Sequence, residues 1–289
     1  MAEGYANGWA PGEESFTDFN LQDIRREHGG RVTIRQFNRA QEAENGADWE
    51  WWFHDGVRGV GMRVQAKKAQ KNGSFRLRYR SGRRRQGPLQ SLQLIEDAVT
   101  VDCLPFYVLY NHRNWVPIDD ELAVRDCQHS NGDQRQLGCT LVSALVVQRV
   151  IDDPLLPASH ARDVSVPWNW LVCDDGVRPT VPTLDALWNQ ARFMHQEGIH
   201  FHDFLVESVP RADDRGVASE RSESVRFERD QSPLYREVAR IAERPVRPLS
   251  ERGKGMITGE MTESPDERLA GAVLIDVRED EGRTQLGDG

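Results

Sequence analysis

The chain lacks the features that would send it into a membrane or out of the cell. No apolar run in the sequence approaches the roughly 18–20 residues that a membrane-spanning helix needs. The N-terminal stretch MAEGYANGWAPGEESF has neither a basic n-region nor an apolar h-region, so it does not resemble a secretory signal. We therefore expect a cytoplasmic protein with no membrane partner.

Cysteine is scarce, and the motifs of several common enzyme classes are missing. The four cysteines are widely spaced and form no CxxC pair, which favours buried free thiols in a reducing compartment over a zinc site. No Walker A motif, no G-x-S-x-G motif and no dinucleotide fingerprint occurs. The chain therefore carries no signature of these three classes of site.

Apolar residues are few, and charge is unevenly distributed. Hydrophobic residues make up 38% of the chain and the mean hydropathy is −0.65, which predicts that part of the length is not packed core. The net charge of −9 argues against a protein that coats nucleic acid indiscriminately, although a local basic groove remains compatible with it. From Gly56 to Ile95 there is no Asp or Glu, whereas eleven Lys or Arg occur.

Hydrophobic patterns predict an α/β domain followed by a smaller C-terminal part. The predicted organisation is a flexible N-terminus over 1–13, an α/β domain over 14–205, a disordered linker over 206–232 and a small helix/strand element over 233–289. The domain begins in the order helix, strand, strand, strand, helix, strand. Further apolar runs predict a buried helix over 139–151, a core strand over 167–173, a helix over 183–196 that Thr183 caps, and a late strand over 269–280. The late strand either returns to the main sheet or joins a small subdomain, because an isolated strand would be unstable.

The most informative stretch is 46–68, where two strands are joined by the turn HDGVRG. Alternation along a strand places Asp48 and Glu50 on one face of the first strand, and Gln65 and Lys67 on one face of the second. Hydrolysis of a phosphodiester needs a hard cation, a positioned water and charge stabilisation. We expect Asp48 to be the primary metal ligand. Glu50, the amide of Gln65 and the carbonyl of Ala66 would add further oxygens.

Lys67 would orient or help to deprotonate the attacking water and offset the charge that develops on the phosphate. The basic residues that follow are expected to track the phosphates of a nucleic acid, because they adjoin the metal site. These residues are Lys68, Lys71, Arg76, Arg78, Arg80, Arg83, Arg84 and Arg85. The alternative is a solvated loop that balances the acidic tail. Trp49, Trp51 and Trp52 are expected to pack in the core rather than to stack on bases.

The helix with Glu, the strand with Asp, the strand ending in VQAKK and the helix and strand that follow together resemble the PD-(D/E)XK nuclease superfamily. Gln65-x-Lys67 is similar to the Gln-x-Lys branch of Mrr-type restriction endonucleases. Over roughly 14–205, a wider pattern also resembles a bacterial family without an assigned function. The stretches that carry this wider pattern are EESFTD, GADWEWWF, RVQAKK, PFYVLYN and PWNWLVC.

This resemblance implies a restriction-endonuclease-like core, in which a central mixed sheet is flanked by helices, and a Mg²⁺ or Mn²⁺ cofactor. It assigns the motif positions to Asp48, Gln65 and Lys67, and the glutamate of the first helix to Glu14, with Glu44 as the alternative. Gln65 replaces an acid, so Glu50 must supply the missing charge if the site is active. On the following helix, Gln86, Gln90 and Gln93 are equal candidates for contact with the phosphate.

We therefore expect a metal-dependent endonuclease that acts on DNA in bacterial restriction or anti-phage defence. DNA is favoured over RNA, and a homodimer or a regulatory defence partner would control the activity. Two alternatives remain: a catalytically inactive nucleic-acid- or partner-binding module on the same fold, and an RNA-cleaving toxin nuclease.

Overall fold

The computed structural model describes residues 12–28, 30–37, 48–70, 73–80, 87–111, 137–157, 159–171, 183–195, 233–261 and 269–278. The strands are β1 (Val32–Gln36), β2 (Asp48–His54), β3 (Arg58–Lys68), β4 (Leu104–Tyr110), β5 (Cys139–Ser143), β6 (Val166–Pro167), β7 (Arg247–Pro248) and β8 (Leu269–Asp276). The helices are α1 (Glu13–His28), α2 (Gln90–Thr100), α3 (Ala144–Asp152), α4 (His160–Asp163), α5 (described over 184–195), α6 (Pro233–Glu243) and α7 (Glu251–Thr258), and Trp168–Leu171 forms a 3-10 turn.

These strands form one mixed sheet of eight, in the order β1-β8-β2-β3-β4-β5-β6, with β7 paired to β3. β2 and β3 are antiparallel, whereas β3 and β4 are parallel and are connected through α2. Helices cover both faces. On one face, Phe16 of α1 packs on Tyr110, which pairs with Lys68 across β3 and β4. Lys67, the residue before Lys68, points to the other face, where it contacts α2. The predicted α/β class, with a central mixed sheet flanked by helices, is confirmed.

The C-terminal part belongs to this sheet, and its predicted separation over 233–289 is corrected. β8 lies between β1 and β2, antiparallel to the first and parallel to the second. At Gly271 an added Cβ would lie 2.5 Å from the carbonyl oxygen of Arg35 and 2.6 Å from the Trp49 ring, so only glycine fits there. Of the two fates considered for the late strand, it takes the first. The predicted linker over 206–232 lies outside the described residues.

Two apolar runs form different elements from those predicted. The buried helix expected over 139–151 is a strand, β5, followed directly by α3. Ser143 ends the strand and caps the helix, because its side chain accepts a hydrogen bond from the backbone N–H of Leu145. The core strand expected over 167–173 is the short β6 and the 3-10 turn. At the N-terminus, α1 begins at Glu13, one residue inside the segment predicted to be flexible.

Aromatic residues from the strands fill the core, as predicted. Trp49, Trp51 and Trp52 are at most 9% exposed, and Trp51 meets Trp168 edge-on at 5.0 Å between ring centroids. These rings pack inside the protein and present no surface for stacking on bases. Cys103 is buried and Cys139 half-buried, and both are free thiols. In the described ranges no helix is long and apolar enough to cross a bilayer.

Candidate active site

The pairing of β2 with β3 brings together the residues that the sequence pattern singled out. Glu50 stands opposite Arg63, and Trp49 stands opposite Val64. Opposed residues in an antiparallel pair point to the same face, so Glu50, Arg63, Gln65 and Lys67 share one side of the sheet. Asp48 precedes Trp49, and its backbone therefore lies at the same end as Gln65. The side chain of Asp48 lies outside the described part of the chain.

Lys67 is buried at the end of β3 with polar groups around its amine. The residue is 6% exposed, and its Nζ donates a hydrogen bond to Oε1 of Gln90 at 2.8 Å. The same Nζ lies 3.8 Å from Oε2 of Glu13 and 5.8 Å from the centroid of the Tyr79 ring. An ammonium group withdrawn from water in this way needs such partners, because an uncompensated buried charge is very costly.

The carboxylate beside Lys67 comes from Glu13, at the first position of α1. Its Oε1 accepts a hydrogen bond from the backbone N–H of Lys68 at 3.2 Å, and its side chain is 28% exposed. The resemblance assigned this role to Glu14, whose side chain lies outside the described residues. Two adjacent glutamates at a helix start cannot be ranked by a motif. Only the angle at which α1 meets the end of β3 distinguishes them.

Glu50 does not belong to this pocket, and its predicted role as a metal ligand and catalytic residue is corrected. Its side chain is completely buried and accepts hydrogen bonds from Arg63 at 2.7 Å, from Arg252 of α7 at 2.5 and 3.2 Å, and from Trp52 Nε1 at 3.0 Å. Arg63 is also completely buried, with Asp97 3.9 Å away. Both carboxylate oxygens of Glu50 are therefore engaged inside an ion cluster that ties α7 to β2 and β3.

Gln65 and Ala66 keep the strand positions that the sequence predicted. Gln65 is 1% exposed and follows Arg63 on the same face, about 7 Å along the strand from Lys67. Ala66 is half-buried, points to the other face and pairs with Val108 of β4. Because Glu50 is committed to arginines, the charge that Gln65 lacks would have to come from Glu13.

Helix α2 begins at this pocket. Leu89 precedes the helix and provides no side-chain cap, while Gln90 is 4% exposed and directs its amide oxygen to Lys67. Gln90 therefore lies next to Lys67, whereas Gln86 lies outside the described residues, and contact of any of the three glutamines with a phosphate stays a prediction. The N-terminus of a helix carries partial positive charge and backbone N–H groups that suit a phosphate. The first residue of α2 brings such a helix N-terminus next to Lys67.

The basic segment runs past the pocket as an extended strip. Phe75 and Leu77 are buried, whereas Arg76, Arg78 and Arg80 are exposed, so apolar and basic side chains alternate between the two sides of the strip. Arg80 donates a hydrogen bond to the carbonyl of Gly87. Lys68, the first member of the predicted basic set, is half-buried. Outside the described residues lie Lys71, Arg83, Arg84 and Arg85.

Residues 1–277 match a family of unknown function, DUF6615. The chain belongs to the DUF6615 family. Neither a curated protein nor a solved structure matches it. The match extends past the end of β8, so the DUF6615 region includes the strand that completes the sheet.

The DUF6615 pocket offers oxygen donors rather than a ready set of acidic ligands. Within the described ranges no three His, Cys, Asp or Glu side chains stand close enough to hold a metal ion. Glu13 contributes a carboxylate and Gln65 an amide oxygen, and Asp48 begins the adjacent strand. These are the donor types that Mg²⁺ and Mn²⁺ accept, so the chemistry of the set fits a hard cation.

Proposed function

We propose that this protein is a metal-dependent phosphodiesterase, an endonuclease that acts on DNA in the cytoplasm. The observation that carries the proposal is the placement of Lys67, whose buried amine lies between the Glu13 carboxylate and the Gln90 amide. A phosphodiester anion is the substrate group that such an amine, beside a helix N-terminus, is suited to bind. The resemblance supports the same reaction and suggests a restriction or anti-phage system with a second copy or a partner protein as regulator.

Asp48, Glu13 and Gln65 would hold the Mg²⁺ or Mn²⁺ ion. When bound, the ion polarises the phosphate and lowers the pKa of a bound water. The protein's own contribution is the placement of a positive charge beside the phosphate. Lys67 orients the attacking water and offsets negative charge on the phosphate, and Gln90 fixes the direction of its amine through the 2.8 Å hydrogen bond.

The test is a cleavage assay on single-stranded and duplex DNA and on RNA, with Mg²⁺, Mn²⁺ or a chelator. Lys67→Met keeps the side-chain length but removes the charge, and we expect cleavage to fall by about 10²–10⁴-fold, as for the loss of a catalytic proton-transfer group. Lys254→Met is the matched control, because Lys254 is an exposed lysine paired with Glu251 on α7. Equal cleavage by the Lys67 variant and the parent would contradict the proposal.

A second pair of variants tests the helical carboxylate. Glu13→Gln should reduce cleavage strongly, since it removes the negative charge 3.8 Å from Lys67. Glu14→Gln is the neighbouring control at the position that the resemblance favoured. If Glu14→Gln abolishes cleavage and Glu13→Gln does not, the assignment of Glu13 is wrong while the nuclease proposal survives.

A non-catalytic nucleic-acid-binding module is the second candidate. Two observations favour it, because both leave fewer negative charges to bind a metal ion: Gln65 stands in place of an acid, and the carboxylate of Glu50 is ion-paired with Arg63 and Arg252. A module of this kind would bind DNA with a steep salt dependence that a chelator does not change. Thermal stabilisation by Mn²⁺ that disappears in Asp48→Asn supports the enzyme, and binding without any effect of metal supports the module.

A further inference from the structure

A groove lies directly beside the proposed active site, along the inner edge of the basic strip. It encloses about 460 Å³ and runs between the strip and the C-terminal end of α3. Its lining residues are Phe75, Arg76, Leu77, Arg78, Tyr79, Val150, Ile151 and Leu156. The volume is that of a pocket for one small group, within the range of roughly 300–1,000 Å³ for ligand sites.

The residues that line the groove include the apolar Phe75 and Leu77 and the two arginines that alternate with them along the strip, and none of them carries a carboxylate. Arg76 and Arg78 are exposed and form no ion pair within the described part of the chain. Two carboxylates, those of Asp152 and Asp153, follow Ile151 directly in sequence, but neither residue lines the groove and both have hydrogen-bond partners of their own. Asp152 accepts hydrogen bonds from the Gln148 amide at 2.9 Å, and Asp153 accepts one from the backbone N–H of Leu155, also at 2.9 Å.

Tyr79 connects the groove to the catalytic lysine. Tyr79 is one of the residues that line the groove, and the centroid of its ring is 5.8 Å from Nζ of Lys67. Its carbonyl accepts the backbone N–H of Gln90 at 3.0 Å, which fixes Tyr79 against the first turn of α2. Tyr79 is therefore shared by the groove and by the surroundings of Lys67.

We propose that the groove holds an unpaired base of a nucleic-acid strand whose next phosphate lies at Lys67, so that the substrate is single-stranded or contains an unpaired segment. This inference rests on the proposed function. In a duplex the faces of the bases are stacked and hidden, and only their edges and the phosphates are accessible. Apolar and aromatic lining residues suit an exposed base face, and the arginines suit the phosphates of the same strand.

The test measures binding without cleavage. A fluorescent 20-nucleotide strand, its blunt duplex and the RNA strand of the same sequence are titrated by anisotropy in chelator. We expect the parent to bind one of the single strands at least tenfold more tightly than the duplex, and the DNA and RNA arms show which strand it prefers. Tyr79→Ala should weaken that binding by about 5- to 150-fold, the range for loss of a base-stacking side chain, and Tyr79→Phe should retain it.

Leu156→Trp tests the groove without removing a packed ring, because Leu156 is half-exposed in the loop after α3 and the larger side chain would fill the space. Arg76→Ala and Arg78→Ala should each reduce the slope of log K against log salt by about 0.7. The matched control is Arg25→Ala, an exposed arginine about 18 Å along α1 from Glu13. Its slope should change less than that of either groove arginine.

Each outcome decides the proposal separately from the nuclease activity. Preference for a single strand that Tyr79→Ala and Leu156→Trp abolish supports the groove, even if no cleavage is ever seen. Equal or tighter binding of the blunt duplex overturns the proposal that the groove holds an unpaired base, even if cleavage depends on Lys67. Single-strand binding that both groove variants leave unchanged also overturns it, provided that their melting temperatures match the parent.

Discussion

Replacement of Glu50 by glutamine should lower the free energy of unfolding of the protein, whether or not metal is present. The substitution preserves volume but removes the charge that Arg63 and Arg252 share. Arg63 is completely buried, Arg252 is 19% exposed, and the remaining acid, Asp97, lies 3.9 Å from Arg63. Breaking a buried ion pair by removal of one partner costs about 3–5 kcal/mol, since a charge is left without compensation.

A loss of that size is easily measured. At roughly 2–4 °C for each kcal/mol in a domain of this class, Glu50→Gln should melt about 6–20 °C below the parent. The assay is thermal unfolding followed by circular dichroism, once in chelator and once with Mn²⁺. If Glu50 bound the metal instead, the variant would keep the parent's melting temperature in chelator and lose only the shift that Mn²⁺ produces. That result would refute the structural role.

A combined variant separates the loss of charge pairing from the loss of shape. Replacement of Glu50, Arg63 and Arg252 together by methionine removes the three charges that are hydrogen-bonded to one another, leaves Asp97 in place and fills the space with apolar groups. Such replacements are often neutral or stabilising. We expect the triple variant to recover most of the stability that Glu50→Gln loses. A triple variant less stable than Glu50→Gln would contradict this account.

Two further predictions concern the core and the C-terminal strand. His195 of α5 is 2% exposed, and burial lowers its pKa to about 4. In the unfolded chain the imidazole takes up a proton near pH 6.5, whereas in the folded chain it does so only near pH 4. The free energy of unfolding should therefore fall by about 3 kcal/mol between pH 6.5 and pH 4. Urea titrations at several pH values measure this decline, which should be smaller in His195→Leu. A chain that ends at residue 232 lacks β8 and Arg252, so we expect it to lose cooperative unfolding; a melting transition like that of the full chain would mean that the sheet closes without β8.

The sequence predicted the elements that carry a local signal. The turn HDGVRG between two runs with strand character located β2 and β3, and the cap of α5 is confirmed by the hydrogen bond from the backbone N–H of Ala186 to Oγ1 of Thr183 at 3.2 Å. The run over 139–151 contains no such turn between its two elements, and β5 and α3 are both buried on nearly every side. A uniformly apolar run predicts burial but cannot separate a buried strand from a buried helix.

The site was predicted in its strand positions but not in its partners. Alternation placed Glu50 and Lys67 on one face correctly, yet it carries no information about which distant residues pack there. Arg252 neutralises Glu50 across about 200 residues of sequence, and no local pattern marks that contact. Glu13 was missed for a related reason, since its role depends on the docking of α1 and not on its neighbours in the chain.

The position of β8 in the sheet also sets the order of events during synthesis. Among the described strands, β2 is the second to leave the ribosome and β8 follows all the others, roughly 200 residues after β2, which takes about 10–40 s at ordinary rates of translation. Through that interval one edge of β2 has no strand beside it, and Glu50 has no Arg252. The long-range pairing also predicts slow folding. A nascent chain therefore cannot complete the sheet that carries Lys67 until β8 has been synthesised, and any activity that needs the finished sheet has to wait for that strand.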